Sequence, residues 1–222
     1  MKNILYLLAG GTANRFGGDK LLMPAAGGSI LTFIAKKVIS FSLFTEIVIV
    51  CNEEKRTRIK NEGIEGLYFA DPGKERYHSV LSAFNTVPPG DEDTVLIHDA
   101  ARPLVSKELC GKIIERTKEM GNAFPALRVA DTLRYYREDG SSETLERDGL
   151  YLMQTPQGFK GKLLKKIMEH TAGRPGITDE GVVLETIGEK IHLVEGERDN
   201  YKITFLSDYK HFCGLIDENG RI

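Results

Sequence analysis

Short apolar runs alternate with longer amphipathic stretches along most of the chain. Five of the runs read "ILYLLA" (4–9), "EIVIVC" (46–51), "GLYFAD" (66–71), "TVLIHDA" (94–100) and "NAFPALRV" (122–129). Their length and their β-branched and aromatic content predict strands. Apolar residues stand at consecutive rather than alternate positions, which fits strands covered on both faces. Between the runs, "SILTFIAKKVISFSL" (29–43) sets Ile30, Leu31, Ile34, Val38 and Phe41 near a helical period. "SKELCGKIIERTKEM" (106–120) does the same with Leu109, Ile113 and Ile114. Ser29 and Ser106 stand where an N-cap belongs, the latter with Glu108 in the first turn. Strand and helix in alternation predict an α/β fold, a Rossmann-like, mostly parallel sheet flanked by helices.

One stretch departs from this rhythm. From Thr132 to Met153 the text "TLRYYREDGSSETLERDGLYLM" alternates β-formers with charges around two Asp-Gly turns, which predicts a protruding β-arm. Such an arm has little core of its own. It either lies on its own domain or reaches a second subunit. Helices resume at "KGKLLKKIMEHT" and "TDEGVVLETIGE", then come a strand "KIHLVEG", an extended "YKITFL" and a closing helix from Ser207. The chain reads as a single domain over 1–222, with 132–153 as the arm.

Loops that follow strands in a parallel sheet are where ligands sit, so they carry the candidate chemistry. "LLAGGTANRFGGDK" (7–20) follows the first strand. It is not a Walker A loop, since Asp19 rather than Lys follows Gly18, nor a dinucleotide fingerprint, since Ala13 and Asn14 break the spacing. Gly10, Gly11, Gly17 and Gly18 let backbone N–H groups approach an anion, and Arg15 and Lys20 bring cations to the same loop. Phosphate binding follows. "HDAARP" (98–103) ends the fourth run; Asp99 there suits a hard cation such as Mg2+, and Arg102 suits a phosphate. His98 is expected to be a hydrogen-bonded structural group. "GERDNYKIT" (196–204) adds Asp199 and Lys202, and "TDE" (178–180) reads as an N-cap with acidic residues in the first turn.

Composition removes other classes. A net charge of -2 within 28% charged residues gives no bulk attraction to nucleic acid or to an anionic membrane. No apolar run nears the roughly 18 residues of a membrane span, and no targeting segment is expected at the amino terminus. Cys51, Cys110 and Cys213 are widely spaced and unpaired by motif, so reduced thiols and a cytoplasmic location are expected. There is no nucleophilic triad and no zinc spacing. An attacking phosphate, with a second pKa of roughly 6, would need no general base. Catalysis would then rest on cations and a metal that neutralise charge at phosphorus.

"GKERYHSV" (73–80), "HDAARP", "ADT" (130–132), "QTPQGF" (154–159), "TDE", "VEG" and "DNYKIT" together resemble the 2-C-methyl-D-erythritol 4-phosphate cytidylyltransferases of the nucleotidyltransferase superfamily, over nearly the whole chain. The opening loop differs from that pattern, with Ala13 at the second glycine position and "DKLL" where the family has Pro-Lys-Gln-Tyr; it is similar to molybdenum-cofactor nucleotidyltransferases. The resemblance implies CMP transfer from CTP to the methylerythritol phosphate, in non-mevalonate isoprenoid biosynthesis, with Mg2+ as cofactor and a homodimer formed through the arm. By position it implies that Ala9, Gly10 and Gly11 with Arg15 and Lys20 hold the CTP phosphates, and that Gly73, Arg76 and Ser79 surround the cytidine. Lys202 would lie near the reacting phosphates, and Asp99 and Asp199 would bind the metal. Arg102, Thr132, Arg147, Thr155 and Thr178 would receive the acceptor. Ribitol 5-phosphate or molybdopterin as acceptor, or a non-catalytic nucleotide-binding regulator, are the alternatives the motifs leave open.

Overall fold

The computed structural model describes residues 1–11, 18–171 and 180–216. In chain order its strands are β1 (Asn3–Leu8), β2 (Pro24–Ala25), β3 (Gly28–Ser29), β4 (Glu46–Val50), β5 (Tyr68–Ala70) and β6 (Thr94–Asp99). They continue with β7 (Asn122–Arg128), β8 (Leu133–Tyr136), β9 (Ser142–Leu145), β10 (Tyr151–Met153), β11 (Gln157–Lys160) and β12 (Leu193–Glu195). The helices are α1 (Ile30–Ser40), α2 (Glu53–Asn61), α3 (Arg76–Thr86), α4 (Lys107–Met120), α5 (Gly161–Thr171), α6 (Glu180–Thr186) and α7 (Leu206–Leu215).

The main sheet runs β10-β7-β11-β6-β1-β4-β5, and β12 also pairs with β7, in parallel. Strands β6, β1, β4 and β5 are mutually parallel, and β11 is antiparallel to both β6 and β7. The sheet is thus mostly parallel, as expected, with an antiparallel strand in its interior. Side chains of β1 alternate between two cores. Leu5 and Leu7 face one that includes residues of α1 and α4, and Ile4 and Tyr6 face one that includes residues of α3, α5 and α6. Coverage on both sides explains the unbroken apolar runs. Tyr6, fully buried, donates its hydroxyl to the Val87 carbonyl at 2.6 Å, which satisfies the polar end of its ring.

Helix α1 starts at Ser29 through a capping box with Thr32, and α4 starts at Ser106, whose Oγ accepts from Leu109 N–H. Gly121 at φ 90° closes α4 in the left-handed conformation. Helix α2, "EEKRTRIKN", has almost no apolar face and buries only Lys55 and Ile59. Periodicity therefore gave no sign of it. Strand β11 was hidden for a related reason: Gly158 contributes no side chain where the strand presses on α4, and a Cβ there would overlap Thr117 Oγ1 and lie 2.8 Å from Ile113 Cγ2.

The arm is narrower than the sequence suggests. Only β8 and β9 form a separate two-stranded hairpin, while β10 returns to pair with β7. The segment "YKITFL" forms no strand, and α7 begins at Leu206.

Gly158→Ala is expected to lower the stability of the protein by about 1–3 kcal/mol through overpacking. Gly111→Ala, inside α4 with open space around a Cβ, should raise it by about 0.5–1 kcal/mol. Urea unfolding midpoints check both.

Candidate active site

The parallel pairing of β1 with β4 and β6 brings their carboxyl ends level, Leu8 opposite both Val50 and Asp99. The chain leaving β1 enters Ala9, Gly10 and Gly11 at this rim. Gly10 has no room for a side chain: a Cβ would overlap that of Pro72 in the loop after β5. Gly73 next to it is equally confined, by His78, and its N–H donates to Ser79 Oγ at 3.1 Å. Gly10 lets the loop after β1 come close to Pro72, and Gly73 lets its own loop turn against the start of α3.

Between them lies a cleft of about 470 Å³ whose wall includes Gly10, Gly11, Lys20, Gly73, Arg76, Ser79, Asp99 and Lys202. Eight residues from four separate regions of the chain, all expected to handle CTP or metal, thus meet in one cavity. Asp99, with 15% of its side chain exposed, sits between two cations: Lys202 Nζ is 2.7 Å from Oδ2 and Arg76 Nε is 3.8 Å from Oδ1. Burial works to raise the Asp99 pKa, but the Arg76 and Lys202 charges outweigh it and hold the group well below the usual carboxylate range. Asp99 is therefore an anion at neutral pH. Lys20 donates to the Ile203 carbonyl at 2.6 Å, one residue beyond Lys202.

A buried hydrogen-bond chain fixes the Asp99 backbone. Asp99 N–H donates to Thr155 Oγ1 at 3.1 Å, Thr155 Oγ1 contacts His98 Nδ1 at 2.9 Å, and His98 Nε2 contacts the Arg102 carbonyl at 3.1 Å. These contacts are all satisfied by a neutral imidazole that accepts at Nδ1 and donates from Nε2. Burial pushes the His98 pKa down to about 4, in keeping with that tautomer. His98 is the structural group expected of it. Thr155, expected to touch the acceptor, has its hydroxyl held within this chain and is 5% exposed. Asn200 completes the support by donating Nδ2–H to the Thr155 carbonyl at 2.8 Å.

The other candidates fall in several places. Ala9 is buried, its N–H donating to Val50 O at 2.9 Å and its carbonyl accepting from Lys55. Arg102 donates to the carbonyls of Asn200 at 2.8 Å and Met153 at 3.4 Å, tying the loop after β6 to its neighbours. Asp199 is exposed in the turn before Asn200, off the wall of the cleft. Thr132 and Arg147 are exposed at the base of the hairpin, where Arg147 donates to the Ala130 carbonyl. Arg15 and Thr178 lie outside the described residues. Among the described residues no group of three or more His, Cys, Asp or Glu could hold a metal.

Two supporting residues escaped the sequence reading. Lys55, 2% exposed, donates to Ala9 O at 2.6 Å and pairs with Asp19 Oδ2 at 2.7 Å. Asp19 in turn caps the short turn Lys20–Leu22 through Leu21 N–H. A buried ammonium under the glycine turn thereby helps to position Lys20. Glu180, expected only as a first-turn acid of α6, is 1% exposed and paired with Arg76. The only signal for either lay in a charged residue at an inward helical position.

A Rossmann-like sheet that gathers a glycine turn, cations and one ionised carboxylate at its carboxyl rim defines a phosphate-handling α/β protein of the nucleotidyltransferase kind. The profile of the family "IspD: 2-C-methyl-D-erythritol 4-phosphate cytidylyltransferase" matches residues 4–212, and the chain belongs to this family. It is 34% identical to the 2-C-methyl-D-erythritol 4-phosphate cytidylyltransferase of Bacteroides thetaiotaomicron, over 97% of this chain and 100% of that one. It is 32% identical to the bifunctional enzyme IspD/IspF of Pelagibacter ubique over 97% of this chain, but spans only 58% of that protein's length. The crystal structure of 4-diphosphocytidyl-2C-methyl-D-erythritol synthase from Anaerococcus prevotii superposes with a TM-score of 0.83 at 27% identity, covering 96% of this chain and 97% of that one.

Thr155→Val would leave the Asp99 N–H and His98 Nδ1 without a buried partner, a cost of about 1–3 kcal/mol. Thr155→Ser should retain most of the stability. Urea unfolding of the two variants distinguishes this supporting role from one in acceptor binding alone.

Proposed function

We propose that the protein transfers CMP from CTP to 2-C-methyl-D-erythritol 4-phosphate and releases pyrophosphate, a step of isoprenoid biosynthesis, using a divalent cation held at Asp99. Family membership supports the reaction. The observation that carries the assignment of the site is the Asp99 carboxylate, ionised at the rim of β6 and sharing one cleft with Lys20, Lys202 and the glycine turn.

In this reading an oxygen of the acceptor phosphate attacks the α-phosphorus of CTP. The new P–O bond forms as the bond to the β-phosphate bridging oxygen breaks, and pyrophosphate carries away the electron pair. Two polyanions must meet, so the protein's task is to neutralise and align them. Gly10 and Gly11 allow the triphosphate to approach the backbone, while Lys20 and Lys202 oppose the charge that develops on the departing pyrophosphate. Arg15 is assigned to the same task. One carboxylate suits Mg2+, which commonly binds through one or two carboxylates and completes its shell with substrate phosphates and water. A bound Mg2+ would screen the phosphates from each other and draw charge from the reacting phosphorus. Asp199, in the adjoining turn, is the second candidate ligand.

We assign the hairpin to dimerisation. Its residues from Arg134 to Tyr136 and from Ser142 to Leu145 are exposed on a two-stranded unit with little core, which a partner surface would stabilise. Thr132 and Arg147 at its base would then contribute to acceptor binding across the interface. The absence of a helix long and apolar enough to cross a membrane among the described residues is compatible with the cytoplasmic location we propose.

Pyrophosphate release, measured with each nucleoside triphosphate against methylerythritol 4-phosphate and ribitol 5-phosphate, tests the assignment. CTP with the former should be preferred; preference for ribitol 5-phosphate would reassign the acceptor, and CTP binding without product would support a regulator. In the same assay Lys20→Ala should lower kcat by about 100- to 1000-fold with CTP affinity changed far less. An equal loss in both would place Lys20 in ground-state binding.

Replacing the segment 133–145 by a short turn should convert a dimer into an inactive monomer, read by light scattering and by the same assay. A monomeric wild type with full activity would refute the dimer.

A further inference from the structure

Glu180 is the only buried carboxylate residue among the described Asp and Glu residues, at 1% exposure. Its Oε2 pairs with Arg76 Nη1, and its Oε1 is buried without a hydrogen-bond partner among the described residues. A half-satisfied buried carboxylate is costly, and a buried ion pair seldom adds net stability. Its position relative to Asp99 supplies a reason for it. The Arg76 guanidinium lies between two carboxylates, with Nη1 on Glu180 and Nε 3.8 Å from Asp99 Oδ1.

A guanidinium favours a two-pronged contact with a single carboxylate. Released from Glu180, Arg76 would swing onto Asp99. Lys202 already holds Oδ2 at 2.7 Å, so both oxygens of Asp99 would then be covered by cations of the protein itself. An incoming metal ion would have to displace two charges instead of one. Glu180 draws Arg76 the other way. The 3.8 Å gap at Oδ1 is longer than a hydrogen bond and leaves that oxygen only loosely engaged.

We propose that Glu180 is a positioning residue: by anchoring the far end of Arg76 it keeps Oδ1 of Asp99 open to the divalent cation. This rests on the reading of Asp99 as the metal ligand. Glu180 touches neither substrate nor metal in this account and acts through Arg76 alone. Removing Arg76 together with Glu180 should therefore restore what removing Glu180 alone takes away.

The experiment measures Mn2+ binding to the nucleotide-free protein by the paramagnetic resonance signal of the free ion, since CTP in solution would itself bind the ion. Glu180→Gln should raise the Mn2+ Kd about five- to fiftyfold, within the usual range of coupling between two sites. Glu180→Asp, too short to hold Arg76 in place, should act in the same direction and serves if the first variant does not fold. The double variant Glu180→Gln/Arg76→Met should return the Kd to within about threefold of wild type, a small fraction of that coupling. Wild-type Mn2+ affinity in both single variants would overturn the proposal while leaving the assignment of Asp99 intact. A double variant as weak as the single ones would overturn it too, by showing that Glu180 acts through the fold. Wild-type binding that Asp99→Asn does not reduce would remove the metal assignment and this inference together.

Discussion

The contact of Asp99 with Lys202 across 2.7 Å closes the chain onto itself over 103 positions and organises the whole rim of the sheet. It depends on an ionised carboxylate at the end of a fully buried strand, which the interior alone would disfavour. Arg76 and Lys202 make it favourable from opposite sides. Those cations come from α3 and from the loop before α7, so the charge at Asp99 ties the second segment to the end of β6 and draws the first towards it.

The two sides of the site are built differently. Beneath it, the chain from Asp99 through Thr155 and His98 to Arg102 leaves each of those polar groups paired in a dry environment. Lys55 does the corresponding work under the glycine turn. On the cleft side, by contrast, the contacts are those of long cationic side chains, Arg76 and Lys202 with Asp99 and Lys20 with the Ile203 carbonyl. In the proposed reaction such contacts would be exchanged for phosphates, the incoming anions taking the place of the partners these cations already have.

Much of the fold could be read from the chain. The five apolar runs became β1, β4, β5, β6 and β7, and Ser29 and Ser106 cap their helices as their position suggests. What escaped was structure made by residues that break the apolar pattern. Helix α2 buries a lysine where the pattern expects an aliphatic side chain, and β11 packs through Gly158. The meeting of Lys20 and Asp99 was legible because ligands gather at strand ends in parallel sheets; Arg76, and the place of Lys202 beside the phosphates, came from the family resemblance. The orientation of their partners was not. That Thr155 and Arg102 face inward, and that Glu180 is buried against Arg76, follows from pairings between segments up to 104 positions apart. No local spacing encodes those.

The proposed metal and triphosphate site is tested most directly by a crystal structure with Mn2+ and a non-hydrolysable CTP analogue, with the metal located by its anomalous scattering. An anomalous peak bonded to Asp99 is expected, with the triphosphate lying along Gly10 and Gly11 and Lys202 turned from the carboxylate to a phosphate oxygen. A triphosphate bound elsewhere, with the Asp99–Lys202 pair unchanged, would contradict it.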